Sequence, residues 1–263
     1  MSLSSQKHLR VAIIVPRFVK YFGEFYQFPL GMAYVAASIQ QAGYRVFGLN
    51  LNHEFGSVAE IVEEFLVNNS IDVVFCGGLS SFLDEITAVF NASRSFRSNI
   101  TMIGGGGIVS SDTKIALDLT GIDIGIVGEG EITSVNVLNA LEHGESLDAV
   151  KGIVFRTQAG EVKITQDAPP VMDLSTLPRP DYEVLSFSKH LELQRPLDHH
   201  FLQTASDDRV PRAIDMITSR SCPYSCTFCF HPVGKVYRER PLDDFFDELE
   251  DLIKKYKINM VGI

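Results

Sequence analysis

The chain is poor in basic residues and has no long apolar run. Its 23 Lys and Arg stand against 33 Asp and Glu, a net charge of −10. That balance, with no Lys/Arg-rich run, argues against a nucleic-acid surface. No uninterrupted apolar stretch reaches the length of a membrane span. The opening Met1-Ser-Leu-Ser-Ser-Gln-Lys7 lacks the apolar region of a signal peptide, so a cytoplasmic location is expected. Cysteine occurs only four times. In an acidic chain of cytosolic character, close cysteines point to metal ligands or catalytic groups before a disulfide framework. The rest is ordinary: 263 residues, 45% hydrophobic and 21% charged, enough for one large domain or two smaller ones.

Three of the four cysteines fall in the eight residues Cys222-Pro-Tyr-Ser-Cys226-Thr-Phe-Cys229, directly after the apolar stretch Ala213-Ile-Asp-Met-Ile-Thr218. Three thiolates on one short loop can converge on a single metal centre. Iron–sulfur clusters are normally held by four cysteines, and three leave one iron free for another ligand. Other readings stand beside this one. A disulfide pair is one, a structural zinc with His231 as fourth ligand is another, and buried cysteines without ligands are a third. Zinc sites usually draw on two ligand pairs separated by a longer spacer, and no second pair is present.

Along the first 140 residues, short apolar runs alternate with amphipathic stretches. Val11-Ala-Ile-Ile-Val15 reads as a buried strand closed by Pro16, and 30–42 as a helix capped by Gly43. Residues 44–51 read as a second strand, and 57–68 as a helix with Ser57 as N-cap and Glu60 completing a capping box. Strands at 71–76, 100–103 and 122–127 and helices at 83–96 and 131–142 follow. The alternation predicts a five-stranded, largely parallel sheet with helices on both faces.

Ligand sites in such sheets lie beyond the carboxyl ends of the strands. Those ends carry Gly77-Gly78, Gly104-Gly105-Gly106-Gly107 and Gly128-Glu129-Gly130. Glycine lets backbone approach a large ligand closely, so three such turns on one edge favour a broad, flat or phosphate-bearing ligand. A dinucleotide fold would carry G-x-G-x-x-G after the first strand, where this chain has Pro16-Arg-Phe-Val-Lys20.

From about residue 10 to 141 the chain resembles the cobalamin-binding domain in front of many radical S-adenosylmethionine (SAM) proteins. The points of resemblance are Pro29-Leu-Gly-Met-Ala-Tyr-Val-Ala-Ala37, the polyglycine turn and Val127-Gly-Glu-Gly-Glu131. Gly152-Ile-Val-Phe155, Asp173-Leu-Ser-Thr-Leu-Pro178 and Pro180-Asp-Tyr182 look like the connector of these proteins, and the cysteine spacing is similar to their signature. The resemblance implies a Rossmann-like doubly wound domain at 1–146, a connector at 147–210 and the start of a radical SAM (β/α) partial barrel at 211–263. It implies Cys222, Cys226 and Cys229 as ligands of a [4Fe-4S] cluster, SAM on the open iron, and Phe228 beside the adenine of SAM. It assigns Gly77, Gly78, Ser80, Ser81, Gly104, Gly105, Gly106, Gly107, Gly128 and Glu129 to cobalamin. The partners it implies are a small-molecule substrate and an electron donor such as flavodoxin or ferredoxin.

One departure matters. Cobalamin domains that give cobalt a histidine carry D-x-H-x-x-G after the first strand. Here His53-Glu-Phe-Gly56 follows the second strand, with Leu51 in the place of the aspartate, and His53 reads as a loop histidine. Cobalamin is therefore expected without a protein histidine.

Residues 152–165 read as a β-hairpin, and the Pro-rich passage after it as a connector laid over the surface, with the pair His199-His200 in a polar loop. Residues 213–218 and 258–263 read as barrel strands flanking an amphipathic helix at 242–256, with Phe245, Phe246, Leu249 and Leu252 on one face. A six-unit partial barrel takes roughly 150 to 200 residues at about 30 per βαβ step, so the sequence is expected to be the N-terminal portion of a longer enzyme. The parent reaction is expected to be methylation, ring formation or rearrangement at an unactivated carbon, as in methyltransferases and the anaerobic magnesium-protoporphyrin monomethyl ester cyclases. A non-catalytic cobalamin-binding module and a zinc-stabilised structural protein are the alternatives.

Overall fold

A computed structural model describes residues 9–19, 24, 26–157, 159–194 and 211–263. The pair His199-His200 lies outside the described residues. In chain order the first elements are β1 (Arg10–Val15), α1 (Leu30–Gln41), β2 (Arg45–Asn50), α2 (Val58–Asn69), β3 (Val73–Gly77), α3 (Leu83–Phe96) and β4 (Thr101–Gly105). Then come α4 (Gly107–Ser111), α5 (Thr113–Thr120), β5 (Ile124–Ile126), α6 (Gly130–His143), β6 (Ile153–Arg156) and β7 (Val162–Ile164). Together the strands form one mixed sheet in the order β2-β1-β3-β4-β5-β6-β7.

The first five strands are parallel, and their side chains alternate between two cores. Val11, Ile13, Val15, Val73 and Phe75 face α1 and α6, while Ala12, Ile14, Val74 and Cys76 face α2, α3 and α5. Strands buried on both faces have to be apolar throughout, which is the pattern the sequence carries. The sheet does not stop at five strands. β6 pairs antiparallel with β5, and β7 with β6. The hairpin expected in the connector is part of this sheet because Ile153 and Phe155 enter one core and Val154 the other. Ser57 precedes α2, but its side chain makes no capping hydrogen bond, so the capping box is not formed. Helices α4 and α5, which no expectation covered, carry the chain from the polyglycine turn to β5.

The connector is not a strap laid over the surface. Tyr182, Leu185, Phe187 and Leu191 are buried in the core shared with α1 and α6. Helix α7 (Phe187–Leu193) supplies two of them. The 3₁₀ turn before it lies on β2 so closely that a Cβ at Gly48 would stand 1.6 Å from the Val184 carbonyl oxygen. The C-terminal residues add β8 (Ala213–Asp215), β9 (Ser219–Arg220), β10 (Arg238–Glu239), α8 (Leu242–Tyr256) and β11 (Met260–Gly262). β8 and β11 pair in parallel around α8, and β9 pairs antiparallel with β10. On α8, Phe245 and Leu252 enter the shared core, whereas Phe246 is 54% exposed and lies off the apolar face expected for it.

His53 is not a solvated loop residue. It is 2% exposed, at the end of β2. Asn50 donates to the Tyr26 hydroxyl (2.9 Å), so the Tyr26 proton goes to His53 Nε2 at 2.6 Å. Burial, with the Lys189 ammonium nearby, lowers its pKa from 6.5 to about 4. A base with a depressed pKa takes up protons more readily unfolded. Its stabilisation is complete above pH 6.5 and is lost as pH falls toward 4. Replacing His53 by Gln should flatten that loss, by about 1–3 kcal/mol between pH 7 and 4, in urea titrations of the two proteins. Equal pH profiles would count against the buried neutral imidazole. Gly48→Ala, which drives a methyl into the Val184 carbonyl, should cost about 1–3 kcal/mol of stability in the same assay.

Candidate functional site

A cavity of about 580 Å³ opens beyond the carboxyl ends of β1, β3, β4 and β5. In a sheet ordered β2-β1-β3 the chain reverses direction between β1 and β3, and that switch point is where such sheets leave a crevice. Its floor is apolar, with Ile13, Phe18, Phe75 and Ile126, and α1 adds Met32 and Val35. The rim is made by Gly77 and Gly78 at the end of β3, Gly104 to Gly107 from the end of β4 to the start of α4, and Gly128 to Glu131 at the start of α6. The glycine turns that the sequence assigns to cobalamin are thus gathered on one cavity.

The rim glycines do two different jobs. A Cβ at Gly77 would lie 2.3 Å from the Gly105 oxygen, and one at Gly106, whose φ is +83°, 2.9 Å from the Gly78 oxygen. Here glycine lets two turns pack backbone against backbone, fastened by Gly78 N–H to Gly105 O and Ile108 N–H to Gly78 O. At Gly105 a Cβ would meet nothing within 4 Å. That position keeps room in the cavity.

Other assigned residues are placed differently. Ser80 and Ser81 are exposed and do not line the cavity; Leu79 does. Glu129 lines it, but its carboxylate is held by Arg220 (3.0 Å) and Arg238 (2.8 Å) and accepts the Val171 N–H at 2.7 Å. Arg220 also reaches Glu131 at 2.5 Å and lies 5.4 Å from the Tyr34 ring. Burial works against the Arg220 charge, yet Glu131 and Glu129 outweigh it and hold the guanidinium above its ordinary pKa. Tyr34 is pushed up to about 12, first by burial and then by Glu248. Cys76 is part of the wall, and burial raises its pKa, so it stays a neutral thiol. None of the described lining residues is a histidine.

The cysteine loop joins β9 to β10. Cys222 is half-buried, and Cys226 and Cys229 are exposed in a turn closed by Cys229 N–H to Cys226 O at 3.2 Å. Phe228 is 90% exposed. Among the described residues no three His, Cys, Asp or Glu groups stand close enough to hold a metal ion, so the thiols are side by side in sequence and not converged. The loop's two legs nevertheless belong to the cavity: Ile217, Ser219 and Arg220 before it and Val233 after it are lining residues. Sequence reasoning missed these four, and also Ser134. Ser134 is fully buried on α6, its hydroxyl finds no partner among the described residues, and it lines the cavity one helical turn after Gly130. That i, i+4 spacing from the glycine turn was the available signal.

Comparison with known proteins bears on this site. Residues 23–138 match the B12 binding domain. The chain therefore carries a B12-binding domain of α/β type. In sequence the chain is similar to two methyltransferases, and in fold to radical SAM enzymes. An uncharacterised methyltransferase of Pyrococcus horikoshii is 25% identical over 238 residues, which is 89% of this chain and 47% of that protein. The cytidylyl-2-hydroxyethylphosphonate methyltransferase of Streptomyces wedmorensis is 25% identical over 272 residues, 88% of this chain and 49% of that one. The chain spans about half the length of these curated relatives. In fold it is similar to the radical SAM methyltransferase TsrM of Kitasatospora setae, with a TM-score of 0.73 and 17% identity over 96% of this chain and 47% of the other. It is also similar to the cobalamin-dependent SAM radical enzyme OxsB, with a TM-score of 0.77 and 17% identity over 95% and 32%.

If Gly105 keeps room for cobalamin, Gly105→Leu should weaken hydroxocobalamin binding at least tenfold, about 1.4 kcal/mol, while leaving the far-ultraviolet circular dichroism unchanged. His53→Ala should leave the absorption spectrum of bound cobalamin unaltered. A shifted cobalt spectrum in that variant would show that His53 reaches the metal.

Proposed function

We propose that this chain is the cobalamin-binding, cluster-bearing part of a radical SAM enzyme acting at an unactivated carbon of a small molecule, most simply as a methyltransferase. The observation that carries the reading is that both legs of the cysteine loop form a wall of the glycine-rimmed cavity. Thiols and cavity then belong to one site.

The residues suit the two groups. For cobalamin there is an apolar floor, a rim free of side chains at Gly105, and the buried Ser134 hydroxyl as a hydrogen-bonding group. A cluster would be held by Cys222, Cys226 and Cys229, three soft ligands on one loop, which would leave one iron open to SAM. When bound, the cluster and cobalamin supply one-electron chemistry and a transferable methyl group. The chain sets the legs of the cysteine loop, Ile217, Ser219, Arg220 and Val233, in the cavity wall, lines its floor with the apolar Ile13, Phe18, Phe75 and Ile126, and keeps Cys76 protonated. Phe228, exposed on the loop, would cover the adenine of SAM. An external flavodoxin or ferredoxin would deliver the electron, which suits a cytoplasmic setting. No helix among the described residues is long and apolar enough to cross a membrane.

Anaerobic reconstitution with iron and sulfide, followed by metal and sulfide analysis, tests the proposal. Iron and sulfide should load in equal amounts, and Cys226→Ala should lower both several-fold, because a site left with two thiolates is incomplete. Zinc retained without sulfide would favour a structural zinc site. Cobalamin bound with no cluster under any condition would favour a non-catalytic cobalamin module.

A further inference from the structure

The β9–β10 hairpin sets Arg220 directly opposite Arg238. Like charges opposed across an antiparallel pair destabilise it. Here they are tolerated because Glu129 stands between them, with the same carboxylate oxygen 3.0 Å from Arg220 and 2.8 Å from Arg238, and because Glu131 takes the other side of Arg220 at 2.5 Å. The four side chains are at most 10% exposed, so solvent and salt screen these attractions little. The carboxylates belong to the cavity wall, and the arginines to the base of the cysteine loop. Ser221, at φ +68°, separates Arg220 from Cys222 and donates its hydroxyl to the Gly234 carbonyl, which closes the neck of the loop. The neck is thus assembled on carboxylates that the cavity wall supplies.

We propose that Arg220 is a positioning residue that couples the cavity to the cysteine loop, so that an occupant of the cavity and the closed neck of the loop stabilise each other. Arg220 itself lines the cavity, together with Ser219 and Val233 on the two legs, so an occupant touches both sides of the neck. Such coupling is reciprocal: what the occupant does for the loop, the closed loop does for the occupant's affinity. The identity of the occupant rests on the cobalamin reading; the joint does not.

The test is the alkylation rate of Cys222 by iodoacetamide under anaerobic conditions, read by mass spectrometry, with and without cyanocobalamin. In the wild-type chain cyanocobalamin should slow Cys222 alkylation about fivefold or more, the low end of ordinary coupling between sites. Arg220→Met should be alkylated faster without cyanocobalamin, should lose the protection with it, and should bind it more weakly by a similar factor. Glu129→Gln should behave alike, because it leaves the two arginines opposed. Arg220→Lys should restore only part of the protection, since an ammonium cannot span both carboxylates as a guanidinium does. Arg156→Met, which removes an exposed pair with Asp118, should change nothing. If Arg220→Met loses its circular dichroism, Arg220→Lys and Glu131→Gln decide the question. Wild-type rates and wild-type protection in the folded Arg220 and Glu129 variants would overturn the proposal. If cyanocobalamin does not bind the wild-type chain, the cofactor reading fails. The rates without it still decide the joint, and equal rates in wild type and Arg220→Met would sink it.

Discussion

The carboxylate of Glu129 is where three parts of the chain meet. It stands at the start of α6, on the rim of the sheet's cavity. It receives Arg220 and Arg238 from the C-terminal hairpin and the Val171 N–H from the connector, and the Val171 carbonyl in turn accepts from Arg238 at 2.8 Å. Such a group is expensive to bury and more expensive to strand. Removing one partner of a buried pair typically costs about 3–5 kcal/mol, because the charge left behind has neither water nor counterion. The arrangement is therefore weak evidence for extra stability and stronger evidence for register. Each segment is held where its charged groups meet their partners.

A second buried set repeats this logic along α8. Arg240 meets Asp244 and Glu248, and Glu248 accepts from the Tyr182 hydroxyl of the connector. Tyr34 of α1 feels both sets, which is why Arg220, Glu131, Arg240 and Glu248 all act on its pKa. Around these charges the packing is aromatic: Phe187 meets Tyr256 edge-on at 5.0 Å and Phe28 at 4.9 Å. The connector is thus a packed layer between the sheet and α8. The C-terminal strand–helix–strand unit is held to the cavity by geometry, and not only by the continuity of the chain.

The sequence showed the parallel half of the sheet well because both faces of those strands are buried, and continuous apolar runs are hard to mistake. It showed the glycine rim for a related reason: Gly77 and Gly106 stand where any side chain would strike backbone. It hid the antiparallel extension, since a hairpin looks the same whether it stands alone or continues a sheet. It hid the joint as well. Glu129 reads as part of a ligand turn and Arg220 as the residue before a metal motif, and nothing local says that they pair across 91 positions. Ser80 and Ser81 misled in the opposite direction, because strand-end serines suit a helix start as well as a ligand. Of Cys222, Cys226 and Cys229 the spacing alone was legible; among the described residues they form no group that could hold a metal ion.

The fate of His53 follows from strand order. Ligands of such sheets lie at the switch point, which the turns after β1 and β3 flank in this sheet. His53 follows β2, one strand outside β1, where the neighbouring layer is α7 and the connector. At that position an imidazole is enclosed by Tyr26 and His190, and its backbone carbonyl accepts from Lys189. Burial then favours the neutral ring, and the Tyr26 hydroxyl occupies Nε2. The turn after β1 contributes Phe18 to the cavity floor. Shape and backbone, not an imidazole, are what the described walls offer to an occupant. The same walls carry Arg220, which pairs with Glu129 and Glu131 at the base of the cysteine loop.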